Sequence, residues 1–198
     1  MSEVAAFLRG TLPPPPARVL EVGAGAGELA ALLADAGYDV VAIDPSPGGE
    51  HVRAVSLHEL DEPAGSFDAA VAVLSLHHVR PLGSSCRHLG ALVRRGGVLA
   101  IDEFDVARFD RRAAAWWLAQ RGADEGTPDA LVQGVRTHLH GVRTLRVALD
   151  PWFALGEPVR GPYLYRWKLG PELRAGEEAA IAAGEIPATG ARLVGLRR

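Results

Sequence analysis

Ten residues near the start of the chain, Arg18-Val-Leu-Glu-Val-Gly-Ala-Gly-Ala-Gly27, constrain the fold more than any other stretch. Val19, Leu20 and Val22 suit the interior of a buried strand. Gly23, Gly25 and Gly27 then strip side chains from the turn that follows, and glycine reaches positive φ without a Cβ clash. A helix is expected from Glu28 (ELAALLADAG) to its stop at Gly37, so its free N–H groups and positive dipole end point into the same loop. A second apolar strand, Asp39-Val-Val-Ala-Ile43, ends in Asp44. Strand, glycine loop, helix, strand and acid in this order form the nucleoside-binding half of a Rossmann-like sheet.

The glycine spacing narrows the ligand. A dinucleotide fingerprint, G-x-G-x-x-G, keeps its third glycine for close helix–strand packing. Here Glu28 stands in that slot, the third glycine falls one residue earlier, and Glu21 precedes the loop. A carboxylate at the helix start repels a pyrophosphate but tolerates a cation or zwitterion. The loop therefore suits a ligand without phosphate, such as S-adenosylmethionine with its sulfonium, amino group and ribose.

On these residues, Val19-Leu-Glu-Val-Gly-Ala-Gly-Ala-Gly-Glu-Leu29 resembles motif I of the class I S-adenosylmethionine-dependent methyltransferases. Phe67-Asp68 leading into Ser75-Leu-His-His-Val79 is similar to their fourth-strand motif. Leu92-Val-Arg-Arg-Gly-Gly-Val-Leu-Ala-Ile101 is similar to their entry to strand five, with Arg95 where proline is usual. The closing residues 185–197 resemble the tail of a group of bacterial methyltransferase-domain proteins of unassigned substrate. The resemblance implies an α/β, Rossmann-like three-layer sandwich whose seven-stranded, mostly parallel sheet ends in an antiparallel strand. It implies S-adenosylmethionine as donor, S-adenosylhomocysteine as product and no metal. It places Glu21 beneath the methionine amino group, Gly23, Ala24, Gly25 and Gly27 against the donor, Asp44 and Pro45 at the ribose, and Leu74 and Ser75 beyond strand four. Where the family often has an adenine-binding Asp, Ser56 stands; backbone groups, His58 or Glu59 take that role.

His77 and His78 follow strand four at the edge where open α/β sheets bind ligands. A histidine there can take a proton from an oxygen or nitrogen acceptor. His78 is the first candidate base, with His77, Asp102 and Glu103 as rivals; each also has a plain reading as a packing, capping or ion-paired group. His138 and His140, at i and i+2, diverge on a helix and suit a surface or lid better than a metal. Trp116, Trp117, Trp152, Trp167, Tyr163 and Tyr165 supply either an acceptor pocket or core. Glu177-Glu178 and Arg197-Arg198 read as solvated charge.

The 198 residues are treated as one domain, with 1–17 as a short helix or flap plus a Pro13–Pro16 lead-in, and 104–150 as a lid and acceptor-binding insertion. A net charge of −3 without any long Lys/Arg run disfavours nucleic acid. One cysteine, Cys86, excludes an internal disulfide, and no apolar run approaches the about 18 residues a membrane span needs. With no signal-peptide pattern in MSEVAAFLRG, the expectation is a cytoplasmic protein acting on a small molecule, monomeric or homodimeric. Further strands are expected at 52–55, 67–74, 98–101, 153–159 and 191–196. Helices are expected from Ser84 or Ser85 to Val93, at 111–120, around Val142, Leu145 and Leu149, and at 177–183, with a polar loop at 122–129. Two other functions fit the same architecture: an NAD-dependent oxidoreductase, which Glu28 argues against, and a non-catalytic S-adenosylmethionine-binding protein.

Overall fold

The structure, a computed structural model, describes residues 2–121 and 126–198. In chain order it runs α1 (Ser2–Arg9), β1 (Arg18–Val22), α2 (Glu28–Asp35), β2 (Asp39–Asp44), β3 (Arg53–Ala54), β4 (Phe67–Val73), α3 (Leu82–Leu92) and β5 (Val93–Phe104). There follow α4 (Arg111–Arg121), α5 (Pro128–His138), α6 (Val142–Leu149), β6 (Phe153–Leu155), β7 (Val159–Gly161), α7 (Arg174–Ala182) and β8 (Gly190–Arg197). The strands form one sheet in the order β3-β2-β1-β4-β5-β8-β6, with β7 also paired to β8. β1 to β5 are mutually parallel, and β8 runs antiparallel to β5. This is the mostly parallel, Rossmann-like sheet with an antiparallel closing strand that the sequence predicts.

Side-chain alternation along β1 builds the layers. Leu20 and Val22 enter the core shared with Leu89 and Leu92 of α3 and Leu145 and Leu149 of α6. Val19 faces the other side, packed with Val4 and Leu8 of α1 and Leu29 and Leu33 of α2. A third apolar cluster starts from Phe104, at the carboxyl end of β5, and gathers Phe109, Trp117, Val135, Tyr163, Leu164 and Ile186. Residues from α4, α5 and α7 thus cover the end of the sheet where ligands bind. Among the described residues, no helix is long and apolar enough to cross a membrane.

Several local expectations are corrected. Among the described residues eight strands form rather than seven, because the strand expected at 153–159 is split into β6 and β7 around Gly156-Glu157-Pro158; proline has no N–H for the ladder. The helix expected to Val93 ends at Leu92, and the Gly96-Gly97 pair lies inside β5. Gly96 takes φ +74°, and a Cβ on Gly97 would run into the Asp68 carbonyl beside an irregular register between β4 and β5. α3 starts at Leu82, and the Ser84 and Ser85 hydroxyls donate back to the Pro81 carbonyl instead of capping the helix. Part of the expected 122–129 loop lies outside the described residues, but from Pro128 the chain is helix. Thr127 caps it by accepting from the Ala130 N–H at 3.3 Å, with Pro128 in the first turn.

Glu177 is the largest reversal. Expected to be solvated, it is fully buried, and its carboxylate accepts from the backbone N–H groups of Tyr163, Leu164 and Tyr165 at 2.7–2.9 Å. It fixes the single 3-10 turn Leu164–Arg166. Glu177→Ala would orphan all three donors and is expected to lower the unfolding free energy by about 3 kcal/mol. Glu178→Ala, at an exposed neighbour, should stay within about 0.5 kcal/mol of the parent, both read by urea denaturation.

Candidate active site

The glycine loop after β1 leaves a cleft of about 430 Å³, lined by Gly23, Asp44, Pro45, Leu74 and Ser75 together with Val55, Ser56 and Leu57. Gly23, at φ +73°, donates to the Ile43 carbonyl, and a Cβ on it would collide with Ser75. Ala24 donates to the same carbonyl. A Cβ on Gly25, at φ +55°, would meet nothing within 4 Å, so the main chain faces open space there. Gly27, at φ +84°, precedes α2 and packs near Val52. Asp44 Oδ2 accepts from the Gly25 N–H at 3.0 Å and Oδ1 from the Ser46 N–H at 2.8 Å. Each oxygen keeps a lone pair for a further donor such as a hydroxyl.

Glu21 opens on the other side of the loop, into a cavity of about 290 Å³ that shares Gly23 with the cleft and includes Val4 of α1. Only 4% of Glu21 is exposed, and its Oε2 has no hydrogen-bond partner among the described residues. Burial pushes its pKa up to about 7. An orphaned carboxylate oxygen beside a bare loop fits a cationic donor. The Ser75 hydroxyl is also buried without a partner. His58 does not line the cleft; Ser56 and Leu57 do, because the 3-10 turn Leu57–Glu59 turns their side of the backbone toward it.

A second cavity, about 480 Å³, adjoins the first, and Leu74 and His78 line both. Leu74 is held at φ +53°, a region costly for a side-chain-bearing residue, with its N–H on the Asp102 carbonyl. The walls are Phe104, Tyr163 and Trp167 on one side and Leu131, Val135 and Leu139 on the other, with His77, His78 and His138 as polar edges. Among the described residues, the lining contains no Asp, Glu, Lys or Arg. Tyr163 stacks on Phe104 at 4.4 Å, and Trp117 supports Trp167 by stacking at 4.6 Å and donating to its carbonyl. The other aromatics do not line it: Trp116 packs into the cluster behind, Trp152 lies against Gly90, and Tyr165 donates to Glu3.

The turn carrying the histidines is tied down from two directions. Glu103 Oε1 accepts from the N–H groups of Ser75 and Leu76 at 3.0 and 2.7 Å, and its Oε2 meets His77 Nδ1. Just past α5, the His140 N–H donates to the His77 carbonyl, and Arg80 donates to the carbonyl of His138 at the end of α5. His78 is exposed, and desolvation, followed by its neighbour His77, holds its pKa below the usual histidine value. Asp102, expected on the acceptor side, is instead paired with Arg166 and Arg192 at 2.9 Å each and lines a separate cavity of about 180 Å³. Sequence reasoning weighed Glu103 as a rival base, a capping group or an ion-paired group and did not foresee its hold on this turn; it assigned 104–150 to acceptor binding without a helix at Pro128–His138. The Thr127-Pro128 cap and the Leu131, Val135 spacing were the available signals for that helix.

The sequence profile of the methyltransferase domain matches residues 1–138. A ubiquinone biosynthesis O-methyltransferase of Xanthomonas axonopodis is 33% identical over 135 residues, 60% of this chain and 54% of that protein. The chain spans about half the length of such curated relatives. The crystal structure of a putative S-adenosylmethionine-dependent methyltransferase from Listeria monocytogenes superposes with a TM-score of 0.67 at 15% identity, covering 99% of this chain and 98% of that one. A Burkholderia thailandensis 1,6-didemethyltoxoflavin-N1-methyltransferase, solved with that compound and S-adenosylhomocysteine, gives 0.54 at 23% identity, covering 98% of this chain and 75% of that one. With this profile match and the strand order, glycine loop and terminal acid above, the chain belongs to the class I S-adenosylmethionine-dependent methyltransferases.

Proposed function

We propose that the protein transfers the methyl group of S-adenosylmethionine to an oxygen, nitrogen or carbon nucleophile of an uncharged small molecule. The observation that carries this reading is the shared wall of Leu74 and His78: a cleft built on bare main chain and Asp44 opens there into a cavity whose described lining holds no Asp, Glu, Lys or Arg. Asp44 would accept from the ribose hydroxyls, Glu21 would pair with the amino group, Gly23 and Gly25 would let the donor lie against the backbone, and Ser56 and Leu57 would meet the adenine. When bound, the donor supplies an already activated methyl group on a sulfonium. The protein's part is to hold the nucleophile in line with it, and orientation of this kind contributes about 7–11 kcal/mol.

Both the cleft and the cavity narrow the alternatives. A nicotinamide cofactor would bring a pyrophosphate to the loop where Glu28 begins α2. A purely binding protein would have no use for the second cavity. α5 and the 162–167 segment serve in this reading as the acceptor wall, and α1 as a flap beside Glu21. Cys86 has no part in it: the thiol is buried and its pKa is pushed up to about 12 by desolvation, as suits an inert core residue of a cytoplasmic enzyme.

Incubation of the protein with S-adenosylmethionine and a panel of uncharged aromatic and heteroaromatic metabolites, read by S-adenosylhomocysteine release, tests the reading. Turnover with at least one is expected, and none across the panel counts against it. Asp44→Ala is expected to weaken S-adenosylmethionine at least about tenfold in calorimetry, since hydrogen bonds to a charged acceptor contribute about 1.5–3 kcal/mol. Glu21 must be ionised to pair with an ammonium, and its pKa lies at about 7 in the free protein. Donor affinity should therefore rise with pH from about 6 to 7.5 and fall roughly tenfold one unit below that pKa. Glu21→Gln should flatten the slope.

A further inference from the structure

The buried carboxylate of Glu103 holds more than a turn. Its Oε1 accepts from the Ser75 and Leu76 N–H groups, with that of His77 at 3.4 Å, and its Oε2 accepts from the Phe104 N–H at 3.2 Å. Each oxygen is thus already served by backbone donors. The additional contact of Oε2 with His77 Nδ1 is not needed to satisfy the carboxylate or to shape the turn. Because its partner is a carboxylate oxygen, which accepts, the ring's Nδ1 carries the hydrogen. A neutral imidazole then presents a bare lone pair on Nε2. His77 lines the cavity, and its Nε2 has no protein partner among the described residues, yet it is not among the side-chain atoms sealed from contact.

The cavity facing that lone pair has a defined chemistry. Phe104, Tyr163 and Trp167 offer flat aromatic surface, and Leu74, Leu131 and Val135 complete an apolar enclosure. Such walls suit a planar ring, since offset and edge-on aromatic contacts contribute about 0.5–1.5 kcal/mol beyond burial. Burial raises the Tyr163 pKa, so its hydroxyl remains a donor. The titratable groups around His77 are Glu103 from β5, His78 with its ring centroid 4.2 Å away, Tyr163 ahead of the 3-10 turn, and His138 from α5. Among the described residues, none of the cavity-lining groups is a carboxylate that would compete for the proton. Among the described residues, no carboxylate is hydrogen-bonded to the His78 ring, so no such contact selects its tautomer.

We propose that His77 Nε2 is the proton acceptor for a phenol-type hydroxyl of an aromatic substrate stacked between Leu74, Phe104 and Trp167, and that Glu103 is the positioning residue that keeps Nε2 free. This rests on the methyl-transfer reading above. In the step, an oxygen lone pair forms the new bond to the methyl carbon, and the carbon–sulfur pair remains on sulfur, which becomes a neutral thioether. The hydroxyl proton passes to His77 Nε2. The imidazolium so formed lies against the Glu103 carboxylate, which stabilises it as charge develops, and it returns the proton to water once the product leaves. Glu103→Gln would reverse the arrangement: its amide N–H donates to Nδ1, and the ring hydrogen moves to Nε2.

The probe is 4-nitrophenol, whose phenolate absorbs visibly and whose binding needs no donor. Below its solution pKa, the parent protein is expected to bring out the phenolate band on binding. His77→Gln and Glu103→Gln should each reduce that band at least about tenfold. His77→Gln leaves the backbone contacts of Glu103 in place and decides the matter if Glu103→Gln fails to fold by circular dichroism. Absence of the band in the parent, its persistence in His77→Gln, or its loss in His78→Ala but not in His77→Gln would overturn the assignment. Calorimetry with S-adenosylhomocysteine on the same samples separates the two claims. A band that behaves as expected in a protein with no affinity for that ligand supports the proton acceptor and removes the methyl-transfer reading beneath it.

Discussion

A strand that ends at a ligand-binding edge leaves backbone N–H groups pointing into the space where the ligand must go. In this protein two buried carboxylates answer that constraint. Glu103 takes the donors of the turn after β4, and Glu177 takes those of the turn that begins at Tyr163. Each orphaned donor would cost about 1–3 kcal/mol, so either acid is worth more in place than any surface ion pair. The consequence is geometric. The two turns border one cavity, and the residues they carry, His77 and Tyr163, are presented by main chain that the two carboxylates hold in place.

The donor side depends on the opposite device, the removal of side chains. Gly23 cannot carry a Cβ because Ser75 occupies the place, which couples the loop after β1 to the turn after β4. Ser75 also donates its N–H to Glu103. The cleft, the partition at Leu74 and the aromatic cavity are therefore consecutive parts of one hydrogen-bonded system running across β1, β4 and β5. α5 is fastened to the same system through His140 and Arg80. Its anchoring near His77 gives a physical reason why the acceptor wall and the donor cleft would sense each other.

How much of this was legible in the sequence follows from distance along the chain. The glycine loop, Glu21 and Asp44 lie within one strand–helix–strand unit, and their spacing alone indicates nucleoside binding. Asp102 and Glu103, as adjacent positions of a strand, must point to opposite faces, but the sequence does not say which face each takes. Only the fold shows that one meets two arginines and the other meets the histidine turn. Glu177 was misread because its partners lie 12–14 residues away and are backbone groups, which leave no trace in composition. α5 was readable from its Thr-Pro cap. The division of β6 from β7 was also readable, from Pro158. His58 was misplaced because a short 3-10 turn decides which of three neighbouring residues reaches the cleft.

The central claim is that a donor cleft and an acceptor cavity meet at Leu74, with His77 facing the second. A crystal structure of the protein with S-adenosylhomocysteine and 4-nitrophenol tests it most directly. The account predicts the ribose on Asp44, the sulfur beside Leu74 and the phenol oxygen within hydrogen-bonding distance of His77 Nε2. Density showing the homocysteine tail away from Glu21, or the phenol outside the Phe104, Tyr163 and Trp167 enclosure, would contradict it.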